Sequence, residues 1–364
     1  MKRKNVLAII IILSTVAAAA AFAWYGVRQN QKSEDVLLPK SETTSDKSSP
    51  LKTNPLENRS LYVDKGSAVA KTVVQKKQDG ATTDAELLTK ISSQPSAIWL
   101  VGPSSNDPDA KRDIEEVKRT SSEAAGQKAL PVYQLYAVPN RDACAGYSKN
   151  GFQNNQSYIA WLNKVLKTLK SEAVFVIEAD ALAHIVQGNC LSKEQTQQRY
   201  ELLREVTLRL SQDRKVLAAY IDVGHSEWFS EPGILVEPLR NAGVEHIRGV
   251  AVNVSFFVPT PEISSWSQQL MAKLGGKKGV IIDTSRNGRG TPPSEVRGEA
   301  RWCNPKGRGL GLNPTTKTSV EGIDAYLWIK RPGESDGQCF NNPPAGEFSP
   351  AIAIELAKNA ENRQ

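Results

Sequence analysis

Ala173-Val174-Phe175-Val176-Ile177-Glu178-Ala179-Asp180 is the stretch that decides the fold. Its apolar residues run without alternation into an acidic pair. Such a run suits a strand buried on both faces, as in a parallel sheet covered by helices. The pattern recurs upstream at residues 97–101 and 131–138, and downstream at 216–222, 249–254, 279–283 and 322–329. Helical patterns lie between. Tyr158, Trp161, Leu162, Val165 and Leu166 recur at i, i+3, i+4 spacing, and so do Tyr200, Leu203, Val206 and Leu210. Seven strands with interleaved helices predict an α/β domain of about 300 residues, doubly wound or barrel-like. Periodicity does not separate the open sheet from the closed barrel. In both, chemistry gathers at the C-terminal strand ends.

Those ends carry acids. The second strand runs into Asn140, Arg141 and Asp142, the third into Glu178 and Asp180, and the fourth into Asp222 and His225. The sixth ends with Asp283 and Arg286, and the seventh leads into Lys330, Glu334 and Asp336. Any one such acid reads best as an N-cap or a surface ion pair. Acids from five strands on one rim point instead to an active site. Paired carboxyls across a cleft are the equipment of glycosidic cleavage: one donates a proton to the leaving oxygen, the other activates water or attacks. Crowding raises their pKa values and keeps one protonated near neutral pH. Trp228, Trp302 and Trp328 are candidates for stacking on sugar faces, although Trp328, inside a strand, reads better as core.

Composition narrows the alternatives. With 23% charged and 40% hydrophobic residues, the bulk of the 364-residue chain is globular rather than disordered. The net charge of +7 is uneven: residues 1–60 hold +4 and the remaining 304 only +3. A nucleic-acid role therefore loses its compositional support. Four cysteines and three histidines occur without a CxxC or HxxxH, so no metal site is expected. Neither a phosphate-binding loop motif nor a dinucleotide fingerprint is present, and no cofactor is expected.

At the N-terminus, Lys2, Arg3 and Lys4 precede a 22-residue uncharged run over 6–27 in which only Ser14 and Thr15 are clearly polar. A helix of it would reach about 33 Å, enough to cross a hydrocarbon core. Trp24 and Tyr25 sit at its far end, where interfacial aromatics belong. Residues 1–27 thus read as a transmembrane anchor helix or, with Ala21-Phe22-Ala23 as cleavage site, a signal peptide. Either places the domain outside the cytoplasm, where cysteines can be oxidised. Residues 28–58, rich in Ser, Thr, Lys and Pro, read as a disordered linker, and 59–364 as the catalytic domain.

The segments Pro139-Asn140-Arg141-Asp142, Val176-Ile177-Glu178-Ala179-Asp180, Tyr220-Ile221-Asp222-Val223-Gly224-His225, Asp283-Thr284-Ser285-Arg286-Asn287-Gly288, Trp302-Cys303-Asn304-Pro305 and Trp328-Ile329-Lys330-Arg331-Pro332-Gly333-Glu334-Ser335-Asp336-Gly337 resemble glycoside hydrolase family 6, the cellobiohydrolase II and endoglucanase family. The resemblance runs from about Leu61 to the C-terminus. It implies a distorted seven-stranded, TIM-like β/α barrel and inverting hydrolysis of β-1,4-glucan. Residue by residue, it makes Asp180 the general acid, Asp142 the aspartate supporting it, and Asp336 the candidate base. It places Asp222 along the cleft, and His225, Trp228, Trp302, Lys330 and Glu334 against sugar. It sets Tyr136 beneath the reacting ring and Ser148 beside the attacking water. Tyr62 aligns weakly with a stacking aromatic. It also implies the disulfides Cys144–Cys190 and Cys303–Cys339.

The sequence departs from the family pattern in places. Ala179 stands where Pro is usual, and Ala143 intervenes between Asp142 and Cys144. Phe256 replaces a common substrate-contacting Asn, and Phe257 a Tyr. The short stretch from Asp336 to Cys339 implies an open cleft and cleavage of internal bonds. The expectation is a monomeric, membrane-tethered or secreted endoglucanase acting on a polysaccharide. A same-fold enzyme for another glycan and a non-catalytic glycan-binding protein are the alternatives.

Overall fold

The computed structural model describes residues 53–360. The anchor over 1–27 and most of the linker lie outside the described residues. No helix among the described residues is long and apolar enough to cross a membrane.

Seven strands form one all-parallel sheet in sequential order: β1 (Ile98–Leu100), β2 (Val132–Leu135), β3 (Ala173–Ile177), β4 (Val216–Asp222), β5 (Gly249–Val252), β6 (Gly279–Asp283) and β7 (Ile323–Leu327). The sheet curls back on itself. Ala97 N–H donates to Trp328 O (2.9 Å) and the Trp99 indole to Ile329 O (2.7 Å), so β1 meets the end of β7. The sequence left sheet and barrel open; the structure shows the curled, distorted barrel that the resemblance implied.

The alternating side chains of each strand feed two cores. Val174 and Val176 point into the barrel with Val132, Tyr220, Ala251, Ile281 and Leu327. Phe175 and Ile177 join the larger core under the helices. Leu56 is fully buried in the barrel interior, and the Asn54 amide donates to Asp324 O (2.7 Å). The folded body therefore begins before residue 59, inside the stretch that composition reads as linker. At the barrel floor Arg248 pairs with Asp324 (2.7 Å), and a Cβ on Gly279 would lie 1.9 Å from that carboxylate. Only glycine lets the pair close there.

The helices wrap the outside: α1 (Ala68–Gln78), α2 (Thr82–Ser92), α3 (Lys111–Gln127), α4 (Asn155–Thr168), α5 (Ala181–Gln187), α6 (Lys193–Gln212), α7 (Val236–Asn241), α8 (Thr260–Lys273) and α9 (Pro350–Lys358). The predicted stripe on α4 is buried, and Asn154 caps its start by accepting the Ser157 N–H. A capping box of Ser192 and Gln195 opens α6, whose inner stripe is Arg199, Leu202, Leu203, Val206 and Leu210. Trp328 is 1% exposed and packs in a third core with Leu88, Ile91 and Leu356 from α2 and α9. It is core, not a sugar platform.

Candidate active site

The register aligns the strand ends. Ile177 pairs with Ile221, Asp222 with Ala251, and Asp283 with Leu327, so the residues after β2, β3, β4, β6 and β7 share one rim. The chain bends sharply there. Asn140, Asp142, Glu178 and Asp180 all adopt positive φ, between 47° and 66°. Asn and Asp visit such angles more readily than other side chains, whereas Glu178 holds its angle because its surroundings fix it.

Two of the rim acids are struts. Glu178 is fully buried and accepts from the Ala137 and Val138 N–H groups and the Tyr158 hydroxyl (2.6 Å). It ties the end of β3 to the chain leaving β2. Asp283, 1% exposed, accepts the backbone N–H groups of Ser255, Ser285, Ile329 and Lys330. It bolts together the chain leaving β5, β6 and β7.

Asp142, Asp180, Asp222 and Asp336 act on one another electrostatically. Burial pushes the Asp180 carboxyl up to about 7, the charges of Asp142 and Asp336 add to that, and Lys330 and Arg199 oppose it. Asp142 Oδ2 accepts the Ser148 N–H at 2.6 Å. Asp222 is buried and raised well above the ordinary carboxyl range, by burial and then by Asp180. The Asp180 and Asp222 pair therefore retains a proton near neutrality. Asp336 is the opposite case. Burial would raise it, but Arg286 Nη1 (2.7 Å), Lys330 Nζ (3.0 Å) and the Asn304 N–H (3.0 Å) hold it at about 2. Tyr136 stays protonated, because burial and the charges of Asp180 and Asp142 raise it well above 10.

The aromatic positions divide. Trp228 is 39% exposed; a Cβ on Gly224 (φ 77°) would lie 2.6 Å from its ring, so that glycine lets the indole lie across the end of β4. Trp302 is half-buried and meets the Tyr147 ring edge-on at 5.7 Å. His225 is 1% exposed, stacked on Phe256 (3.6 Å) and 4.4 Å from Trp228. Burial keeps it neutral, and neither ring nitrogen has a protein partner. Glu334 turns to Arg331 (2.6 Å). Tyr62 is 2% exposed with its hydroxyl on Glu123 (2.6 Å), a packing residue rather than a stacking platform.

Both implied disulfides are present, Cys144–Cys190 and Cys303–Cys339. The chain after Asp142 reaches across to the far loops: the Tyr147 hydroxyl bonds the Glu299 carboxylate, and Tyr147 covers Gly337. Sequence reasoning passed over Arg286, Asn304, Tyr147 and Arg199. Arg286 and Asn304 stood inside quoted motifs, and the need of Asp336 for a counter-charge was the available signal. Nothing in the sequence pairs Tyr147 with a residue 152 positions away. A cavity of about 690 Å³ lies between α8 and the chain at Leu312 and Tyr326, and none of the aspartates lines it.

Fold and rim together define a glycosidase built on a parallel barrel. The chain belongs to glycosyl hydrolases family 6, whose model matches residues 56–360. It is 39% identical over 270 residues to "Endoglucanase 1" of Streptomyces sp. strain KSM-9, covering 74% of this chain and 70% of that protein. It is 36% identical to "Endoglucanase A" of Cellulomonas fimi, covering 78% of this chain but 58% of that longer protein. Among solved structures, the endoglucanase Cel6 of Mycobacterium tuberculosis, in complex with methyl-cellobiosyl-4-deoxy-4-thio-β-D-cellobioside, superposes with a TM-score of 0.75 at 37% identity. That match covers 84% of this chain and 99% of that one. More distant relatives, at 26% identity, are named cellobiohydrolases.

Proposed function

We propose that this chain is an inverting endo-β-1,4-glucanase with Asp180 as general acid. The observation that carries the reading is the split among clustered carboxyls: one group is held up to about 7 while its neighbour Asp336 is held at about 2. Asp180 keeps a proton to give the glycosidic oxygen. Asp142, beside Ser148, sustains that protonation by its charge. Asp336 places fixed negative charge by the sugar that becomes cationic in the transition state. A carboxylate locked by two cations is a weak base, so the proton of the attacking water leaves through solvent. Tyr136 sits beneath the reacting ring and Trp228 and Trp302 flank the chain.

Internal cleavage is supported by the short chain between Asp336 and Cys339 and by the endoglucanases that the chain resembles. The ligand of the Mycobacterium tuberculosis structure supports a cello-oligosaccharide substrate. Two disulfides support an extracytoplasmic location, reached through the basic and apolar N-terminus as anchor or leader.

Hydrolysis of cellohexaose, with anomers resolved by NMR, tests the reading. Initial release of α-anomers from internal bonds is expected. β-Anomer release, or cellobiose from chain ends alone, would overturn it. A second reading, another β-glucan, rests on Phe256, whose ring covers one face of His225. It predicts that a mixed-linkage glucan is cut while cellohexaose is not.

A further inference from the structure

Arg199 occupies an expensive position. It lies on the inner stripe of α6, in line with Leu202, Leu203, Val206 and Leu210, where a leucine would pack without penalty. It is 4% exposed and makes no ion pair among the described residues. Its Nη1 has no hydrogen-bond partner. A buried guanidinium with no carboxylate in contact is costly unless something else offsets it, and the nearby charge of Glu178 supplies part of that offset.

Its Nη2 shows what it does. It donates to Pro139 O (2.8 Å) and to Asn140 O (2.9 Å). These carbonyls belong to the turn in which Asn140 (φ 55°) and Asp142 (φ 51°) are both left-handed. Asn and Asp tolerate such angles better than other side chains, but two of them separated by one residue still leave a sparsely populated turn that its surroundings must hold. Arg141, itself within the turn, ties it to Val101 O, Tyr136 O and Ser148 O. The turn that presents Asp142 is thus fastened by two arginines, one its own and one from α6.

We propose that Arg199 is a positioning residue for hydrolysis: it clamps the strained turn that presents Asp142 and sets a buried positive charge behind the Asp142 and Asp180 rim. The inference rests on the proposed roles of those two aspartates. The charged and titratable groups around the rim are Asp142 and Tyr136 from the β2 side, Asp222 from β4, and Lys330 and Asp336 beyond β7. Arg141 and Glu178 stand beside the same turn, Glu178 being the largest charged neighbour of Arg199, and Arg286 pairs with Asp336. His184 lies on α5 and Arg199 on α6. His184 is neutral, held down to about 4 by burial and then by Arg199. Arg199 is therefore a cation supplied from the helical layer, and like Lys330 it favours the ionised form of Asp180.

Arg199→Met removes clamp and charge; Arg199→Lys keeps the charge but not the two-carbonyl fork. The readouts are kcat and KM on cellohexaose, thermal unfolding, and the carboxyl ¹³C titration of Asp180, assigned with Asp180→Asn. Arg199→Met is expected to lose roughly 10- to 100-fold in kcat with KM little changed. Its Asp180 midpoint should move up. Arg199→Lys should lose kcat while the midpoint stays, and it remains informative where the Met variant does not fold. A folded Arg199→Met with wild-type kcat and an unmoved midpoint would overturn the inference. So would a loss in kcat that only tracks the unfolded fraction. Full activity in Asp180→Asn would instead sink the acid assignment, an outcome distinct from failure of the clamp.

Discussion

At the scale of single residues, the proposed role of Asp180 as general acid carries a cost in stability. Its carboxyl is protonated to about pH 7 only because burial and Asp142 disfavour the charge. Two measurements follow from that cause. Asp180→Asn should lower kcat on natural β-glucan by on the order of 10²–10⁴-fold, yet unfold at a higher temperature than wild type at pH 8, where the native acid is ionised and unpaired. An active or less stable variant would contradict the assignment. Asp142→Asn removes a negative charge that raises Asp180. The alkaline limb of kcat/KM should therefore move to lower pH, and a limb moving upward would show that another group is the acid.

At the scale of elements, the segment joining β2 to α4 carries Asp142 and Ser148 and is fastened twice. The Cys144–Cys190 disulfide bolts it to the chain after α5, and Tyr147 straps it to Glu299 and Trp302 across the cleft. Ser148, whose N–H holds Asp142, is adjacent to the strap. Tyr147→Phe loses one hydrogen bond, worth about 1 kcal/mol, and should lower kcat about fivefold with little change in unfolding temperature. Unchanged kcat would mean that Asp142 is placed without the strap. The sequence made much of this architecture legible. Strands β4 and β6 appear at their predicted bounds because apolar runs fill them from end to end. Predicted strands two, three and seven overrun at their carboxyl ends, because Tyr136, Glu178 and Trp328 continue the pattern while the backbone is already turning. The rim acids were visible as a set, but their division was not. Whether Glu178 or Asp180 is the strut depends on which one meets the Ala137 and Val138 amides, a contact across about 40 residues. Roles came from the resemblance, and Arg199 stayed hidden because one polar residue on an amphipathic helix looks like its solvent face.

At the scale of the whole molecule, the buried titratable groups set the pH at which the fold is firmest. Burial raises Asp113 to about 6 and Asp180 to about 7. A carboxyl raised in the native state prefers its proton there, so stability falls as pH climbs from the unfolded value near 4 through the folded one. Both groups therefore weaken the protein between about pH 4 and 7. Burial lowers His184 to about 4, so stability also falls as pH drops from about 6.5 through 4. Asp336, held at about 2 by Arg286 and Lys330 against its burial, stabilises above about pH 4 and loses that contribution on further acidification. Over the middle range these two carboxyls act against two histidines, because burial also holds His225 well below its ordinary value. Asp222, Glu178 and Asp283 are raised by burial as well and tilt the balance towards the carboxyls. The unfolding temperature of the domain should therefore rise as pH falls from 8 to about 5, then drop steeply below about 4. Differential scanning fluorimetry across this range checks it, and Asp180→Asn should flatten the alkaline side alone. A maximum at pH 7 or above would mean that the rim carboxyls are ionised and paired in the native state, and would remove the physical basis for Asp180 as a neutral-pH acid.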